Sequence, residues 1–209
     1  MKRAIFYPFF LCIALLFATT TAVKAEEAPD AMLKRITQEM ISSLRQSDQK
    51  LNDDPRLIFR IVDKIIVPYI DWEVMSHWVV GRNAWAKATP NERQRFVAAF
   101  RNLLIRSYAN TLKAYNNQTI DYLPVRGGTE GKGRIQINSV IRSPGQEAIR
   151  VSYRLAKKDS GWKVYDISIE GVSLLKGFQS QFAAELQQQG LDKLIQRIQK
   201  HNEKPLPGK

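Results

Sequence analysis

Few side chains in this sequence are of the kinds that carry out catalysis, and the spacing of those few gives them little chemistry to share. The histidines His77 and His201 fall in different helical segments with no second histidine at ligand spacing, so neither a zinc site nor a hydrolytic triad has enough material. Gly171-Val172-Ser173 begins like a nucleophile elbow, but Leu175 stands where the closing glycine belongs, and no histidine lies in the adjoining strand region to serve the serine. The glycine-rich run 127–133 lacks the Gly-Lys-Ser/Thr ending of a phosphate loop and lies between two strand patterns, which predicts a hairpin loop. Asp166 and Glu170 are left as a carboxylate pair near a strand end. They would support one enzymatic reading, a carboxylate base on a cone-shaped α+β fold in the cell envelope. No cofactor or metal is called for by any of these residues.

The first 25 residues set the compartment. Lys2 and Arg3 precede an apolar run over residues 4–18, and residues 19–25 offer a cleavage site with Val23 and Ala25 in the small-residue positions. We expect a signal peptide over residues 1–25, cleaved near Ala25, and a periplasmic mature protein. The apolar run is shorter than the roughly 20 residues that cross a bilayer. Cys12 is the sole cysteine; it is preceded by Leu11 and not by the small residue that lipid attachment requires. The mature chain then carries no thiol, which excludes a disulfide framework and thiolate chemistry and leaves stability to an apolar core. The whole sequence holds 32 Lys+Arg against 20 Asp+Glu; without Lys2, Arg3 and Lys24 the excess is +9. Such an excess suits an acidic partner protein or an anionic membrane surface, and export argues against nucleic acid. A basic module that only bridges proteins or surfaces is the second alternative to be kept.

The elements that must position these residues change character twice along the chain. Leu33, Ile36, Met40, Ile41 and Leu44 recur at helical spacing over residues 30–47. Asp54-Pro55 reads as a helix start, followed by the wide stripe of Leu57, Ile58, Ile61, Val62, Ile65 and Ile66 as far as Pro68. A short helix opens at Asp71-Trp72-Glu73 and stops near Gly81. Thr89-Pro90-Asn91-Glu92 is a capping box with proline at the first helical position, so a long helix is expected from there to about Lys113. From Asn116-Asn117 the pattern alternates, with strand candidates over 119–125, 134–142, 147–157 and 162–169, joined by short turns that imply an antiparallel meander. Val151, Tyr153 and Leu155 point one way and Arg150 and Arg154 the other, so one face is buried and one is wet. Helical spacing returns after Gly171, with a break at Gly190. The expected fold class is α+β: a curved antiparallel sheet of about four strands, with N-terminal and C-terminal helices packed on its inner face and enclosing an apolar cavity. We expect one domain over residues 26–209, mainly helical over 26–115, sheet over 118–170 and helical over 171–202.

Two blocks of residues carry a family resemblance. Gly81-Arg82, Trp85, Ala88-Thr89-Pro90, Glu92-Arg93, Phe96, Phe100-Arg101-Asn102-Leu103-Leu104 and Tyr108 form the first. Trp162-Lys163-Val164-Tyr165-Asp166-Ile167 and Glu170-Gly171-Val172-Ser173-Leu174-Leu175 form the second. Together they resemble the MlaC family, the toluene-tolerance or ABC-transporter auxiliary proteins of the Gram-negative periplasm, over about residues 32–198. The resemblance implies a phospholipid carrier with no cofactor and no catalysis of its own. It also implies two partners: an outer-membrane lipoprotein–porin complex and the lipid-binding subunit of an inner-membrane ABC transporter, between which lipid moves to maintain outer-membrane asymmetry.

Such a carrier faces a definite cost. A diacyl lipid leaving a membrane exposes about thirty methylenes at roughly 0.8 kcal/mol each, on the order of 25 kcal/mol in all. Only an enclosed apolar slot of about 1,000 Å³ offsets that. We nominate as its lining Phe100, Leu104 and Tyr108 from the long helix, Ile137, Val151, Tyr153, Tyr165 and Ile167 from the strands, and Leu175, Phe178 and Phe182 from the helix after Gly171. Arg101, Arg106 and Lys113, on the outer side of the long helix, are nominated for docking on acidic partners.

Overall fold

The protein was studied as a computed structural model, which describes residues 27–113 and 118–205. The expected signal peptide lies outside the described residues, as does the side chain of Lys113. Among the described residues, seven α-helices and one five-stranded sheet follow one another as expected in kind. Helix α1 (Pro29–Gln46) starts on a proline whose missing N–H costs nothing in the first turn, with Asp30 beside the positive end of the helix. Helix α2 (Asp48–Asp53) is short. Helix α3 spans Leu57–Ile65 and so begins later than Asp54-Pro55 suggested. Asp54 is the reason: its carboxylate accepts from Arg56 N at 3.0 Å and from Arg60 Nη2 at 3.0 Å, closing a turn ahead of the helix.

A single 3-10 turn at Val67–Tyr69 leads to α4 (Trp72–Val80), capped by Asp71 Oδ1, which accepts from Val74 N at 3.1 Å. Gly81 ends α4 with φ of 83°, and a six-residue helix that the sequence pattern did not announce, α5 (Arg82–Lys87), follows at once. Helix α6 (Pro90–Lys113) begins with the expected capping box: Glu92 N donates to Thr89 Oγ1 at 3.2 Å and Thr89 N donates to Glu92 Oε2 at 2.8 Å. Strands β1 (Thr119–Tyr122), β2 (Arg134–Arg142), β3 (Ile149–Lys158), β4 (Gly161–Ile169) and β5 (Val172–Ser173) pair in chain order, each antiparallel to the next. Helix α7 (Leu174–Glu203) is broken at Gly190, whose φ of 79° and ψ of 175° are not helical. No helix among the described residues is long and apolar enough to cross a membrane.

Helix α6 belongs to two apolar clusters. Its Ile105 and Ala109 join α1 and α3 over the sheet residues Ile135, Ile137, Leu155, Trp162 and Val164. One face away, Phe96, Phe100, Leu103 and Leu104 join α4, α5 and α7. Helix α7 reaches the sheet through β4 and β5. The first cluster covers part of the inner face of the sheet, and the second packs α4, α5 and α7 against α6.

Candidate functional site

Strand register sorts the inner face of the sheet into rows, since directly opposed residues share a face and every second residue repeats it. Ile135, Leu155 and Val164 form the innermost row, all buried under the first helices. Next come Ile137, Tyr153 and Ile167, then Tyr122, Ser139, Val151, Ile169 and Val172, and last Ile120, Ile141 and Ile149. Burial falls across these rows. Ile137 is fully buried, whereas Ile169 is 43% exposed, Ile149 40% and Val172 70%. An apolar sheet face that begins inside the protein thus emerges at the far end of the strands and toward β5. Exposed aliphatic side chains that adjoin one another in this way mark a binding surface more often than scattered ones do.

Tyrosines stand where this face passes from covered to open. The Tyr122 hydroxyl and Thr37 Oγ1 of α1 lie 2.6 Å apart, and the rings of Tyr122 and Tyr153 are 6.0 Å apart between centroids. Burial raises the Tyr153 phenol above its ordinary pKa, and hydrogen bonds to Ser139 and Tyr122 oppose the rise. Burial alone raises Tyr108 on α6. Both phenols stay neutral across ordinary pH.

The eleven nominated lipid-contacting residues do not converge on one place. Ile137, Val151, Tyr153 and Ile167 lie in adjoining rows of the inner face. Phe100, Leu104, Tyr108, Tyr165, Leu175, Phe178 and Phe182 belong to the helical cluster. There Phe100 is fully buried, 5.6 Å from Phe96 in a stacked pair and 5.3 Å from Phe178 edge to face. Tyr165 parts from Ile167 because β4 carries a bulge: Leu155 opposes Val164 and Arg154 opposes Asp166, which leaves Tyr165 as the extra residue. Its ring meets the Arg134 guanidinium at 5.8 Å. Ile149 and Ile169, not nominated, continue the alternation of Val151, Tyr153 and Ile167 by one step, and that step was the available signal.

The other candidates lie apart from this face. Asp166, 1% exposed, accepts from Ser173 Oγ at 2.8 and 3.0 Å and from Leu175 N at 3.4 Å, while Ser173 Oγ in turn accepts from Lys176 N at 3.2 Å. The carboxylate therefore anchors the start of α7. Glu170 accepts a short hydrogen bond from Arg150 N. Lys132 Nζ donates to the carbonyls of Gly127 and Gly128 at 2.7 and 3.0 Å, filling the glycine-rich loop from within. Arg106 donates to Asn202 O at 3.2 Å and Pro205 O at 3.1 Å, tying α6 to the end of α7 rather than presenting a free cation. Arg101 faces Asp63 at 3.9 Å. His77 is exposed beside Trp85, and no cluster of three or more metal-ligating side chains occurs among the described residues.

Several open clefts lie away from these rows, two of them beside α1 and α6. The larger, about 1080 Å³, runs between the start of α1 and the β3–β4 turn, and its walls mix Met32 and Trp162 with Arg35, Lys157 and Lys158. The second, about 520 Å³, lies between α4, α5 and α6. None of the eleven nominated residues lines either one.

Comparison with known proteins gives one consistent answer. Residues 34–200 match the family model described as MlaC protein. The chain is 28% identical over 185 residues to the toluene tolerance protein ttg2D of Pseudomonas putida, covering 88% of this chain and 85% of that one. It is 27% identical over 193 residues to the intermembrane phospholipid transport system binding protein MlaC of Haemophilus influenzae, covering 91% and 89%. Among solved structures, the phospholipid-binding protein from Ralstonia solanacearum in complex with a phospholipid superposes with a TM-score of 0.77 at 29% identity, covering 84% of this chain and 97% of that one.

Proposed function

The chain belongs to the MlaC family, and from that membership we propose that it is a periplasmic phospholipid carrier which takes acyl chains onto the inner face of its sheet. The observation that carries this reading is the fall in burial from Ile137 to Ile149, Ile169 and Val172 along one continuous apolar face. A lipid approaching that end meets aliphatic side chains already in water. Covering them releases surface at about 25 cal/mol per Å². Deeper entry requires α1 and α6 to give way to the acyl chains over Tyr153 and Ile167. That exchange replaces one apolar contact by another and exposes little new surface to water. The head group remains outside, near the exposed Arg142 and Arg150.

This mechanism contains no bond-making step, and the direction of transport rests with the partners. We assign those partners as the outer-membrane lipoprotein–porin complex and the lipid-binding subunit of the inner-membrane ABC transporter. The family match and the phospholipid seen in the related structure support the reading. Native mass spectrometry of the mature protein purified from periplasm tests it. Phospholipid should travel with the folded chain, and repeated recovery of lipid-free, folded protein would overturn it.

A further inference from the structure

The cleft between α4, α5 and α6 holds two arginines whose N–H donors the protein engages only in part. Pro90, Arg93, Gln94, Val97, Ala98 and Arg101, at positions i, i+3, i+4, i+7, i+8 and i+11 of one helix face, form its α6 wall. Trp72 and Trp85 stand across from them. Arg93 lies over the Trp85 ring at 5.4 Å and donates from Nε to Trp85 O at 3.2 Å. Arg101 Nε is buried without a hydrogen-bond partner among the described residues, and its nearest acid, Asp63, is at 3.9 Å. Each guanidinium offers five N–H donors, and across the two only Arg93 Nε has a protein acceptor among the described residues. Glu73, on the α4 side, is the one acid in the lining.

We propose that this cleft is a docking site for an extended acidic segment of a partner protein, distinct from the lipid-binding sheet face. Arg93 and Arg101 are eight residues apart on α6, about 12 Å along the axis. Residues i and i+4 of an extended strand are separated by about 13 Å and share a face with i+2. A segment with carboxylates at i and i+4 would therefore reach both guanidiniums. Its residue i+2 would meet Val97, which lies midway between them, opposite the tryptophans. Carboxylates are the acceptors that Arg forks pair best, and Trp with Arg is the composition typical of the residues that dominate protein interfaces. The basic excess of the chain adds long-range attraction for such a partner. This proposal goes beyond the lipid reading, because a docking cleft holds whether or not the sheet face carries lipid.

The test is calorimetric titration of the full mature chain with the blocked pentapeptide acetyl-Glu-Ser-Leu-Ser-Glu-amide, followed in parallel by tryptophan fluorescence. Binding should be detected, should weaken as salt is raised through the range where the screening length shrinks, and should fall about fivefold in Arg101→Gln. Arg101→Lys should recover part of the loss, and the peptide with Lys at both ends should not bind. Thermal unfolding of each variant separates lost binding from lost folding. Unchanged affinity in Arg101→Gln, no binding by the unaltered protein, or an Arg101-dependent response to phosphatidylglycerol vesicles alone would each overturn the proposal. Phospholipid carried by the same preparations is measured separately. Its absence would count against the carrier reading and leave the docking cleft standing.

Discussion

Asp166 Oδ2 accepts a hydrogen bond from Ser173 Oγ at 2.8 Å, and both residues are buried at the corner where β4 and β5 hand the chain to α7. The same carboxylate accepts from Leu175 N and lies 3.6 Å from Arg154 Nη1. A carboxylate so engaged is a joint in the frame. Its neighbour Ser173 meanwhile caps the helix through Lys176 N.

Asp166→Ala should lower the unfolding free energy by about 2–4 kcal/mol, because it leaves the Ser173 hydroxyl and Leu175 N–H buried without their acceptor. Asp166→Asn retains one acceptor oxygen and should cost less. Urea denaturation measures both. Phospholipid recovered per folded Asp166→Asn molecule should match the unaltered protein. A total loss of lipid handling in a well-folded Asp166→Asn variant would return the carboxylate to a direct role in function.

Val172→Asp and Ile149→Asp place a charge on the open part of the sheet face. Both positions are substantially exposed, so stability should change by no more than about 0.5 kcal/mol. Co-purified phospholipid should fall several-fold, since a desolvated carboxylate opposes an acyl chain laid across it. Lipid extraction with phosphate analysis reads the outcome.

Phe100→Ala separates packing from lipid contact. Its ring is fully buried against Phe96, Phe178 and Phe182, so truncation should cost about 3–5 kcal/mol by opening a cavity. Lipid carried by the fraction that remains folded should change far less than in Val172→Asp. Calorimetric unfolding and lipid analysis of the same sample check the pair of expectations.

The capping box predicts a pH dependence with a definite sign. The Thr89 N–H, and then the Thr89 hydroxyl, hold the Glu92 carboxyl below its ordinary pKa of 4.5. A carboxyl whose folded pKa is depressed adds stability that is present above the unfolded value and is lost as pH falls through the folded one. Stability should therefore decline below pH 4.5, and Glu92→Gln should show a shallower decline over that window. Unfolding midpoints measured at descending pH in the two proteins make the comparison.

That capping box was legible in four consecutive residues because both of its partners are local, and the alternation of Val151, Tyr153 and Leu155 likewise reported a half-buried strand. The helix start after Asp54 was less legible, since two hydrogen bonds accepted by one carboxylate close a turn first. The grouping of the nominated residues was less legible than the fold. A single bulge at Tyr165 breaks the period-two rule, and sequence alternation carries no sign of it. Phe100 and Ile105 share one helix yet face different clusters, a division set by which neighbours α6 meets. Arg106 looked like a surface cation because its acceptors, Asn202 O and Pro205 O, are about a hundred residues away in sequence.

The central claim is that acyl chains lie on the inner sheet face, entering past Ile149, Ile169 and Val172. Photocrosslinking with a phospholipid bearing a diazirine in one acyl chain, read by peptide mass spectrometry, tests it at residue level. Adducts should map to β3, β4 and β5, on Ile149, Val151, Tyr153, Ile169 and Val172. Adducts confined to the helical cluster around Phe100 and Phe182, or to the cleft beside Met32 and Trp162, would contradict it.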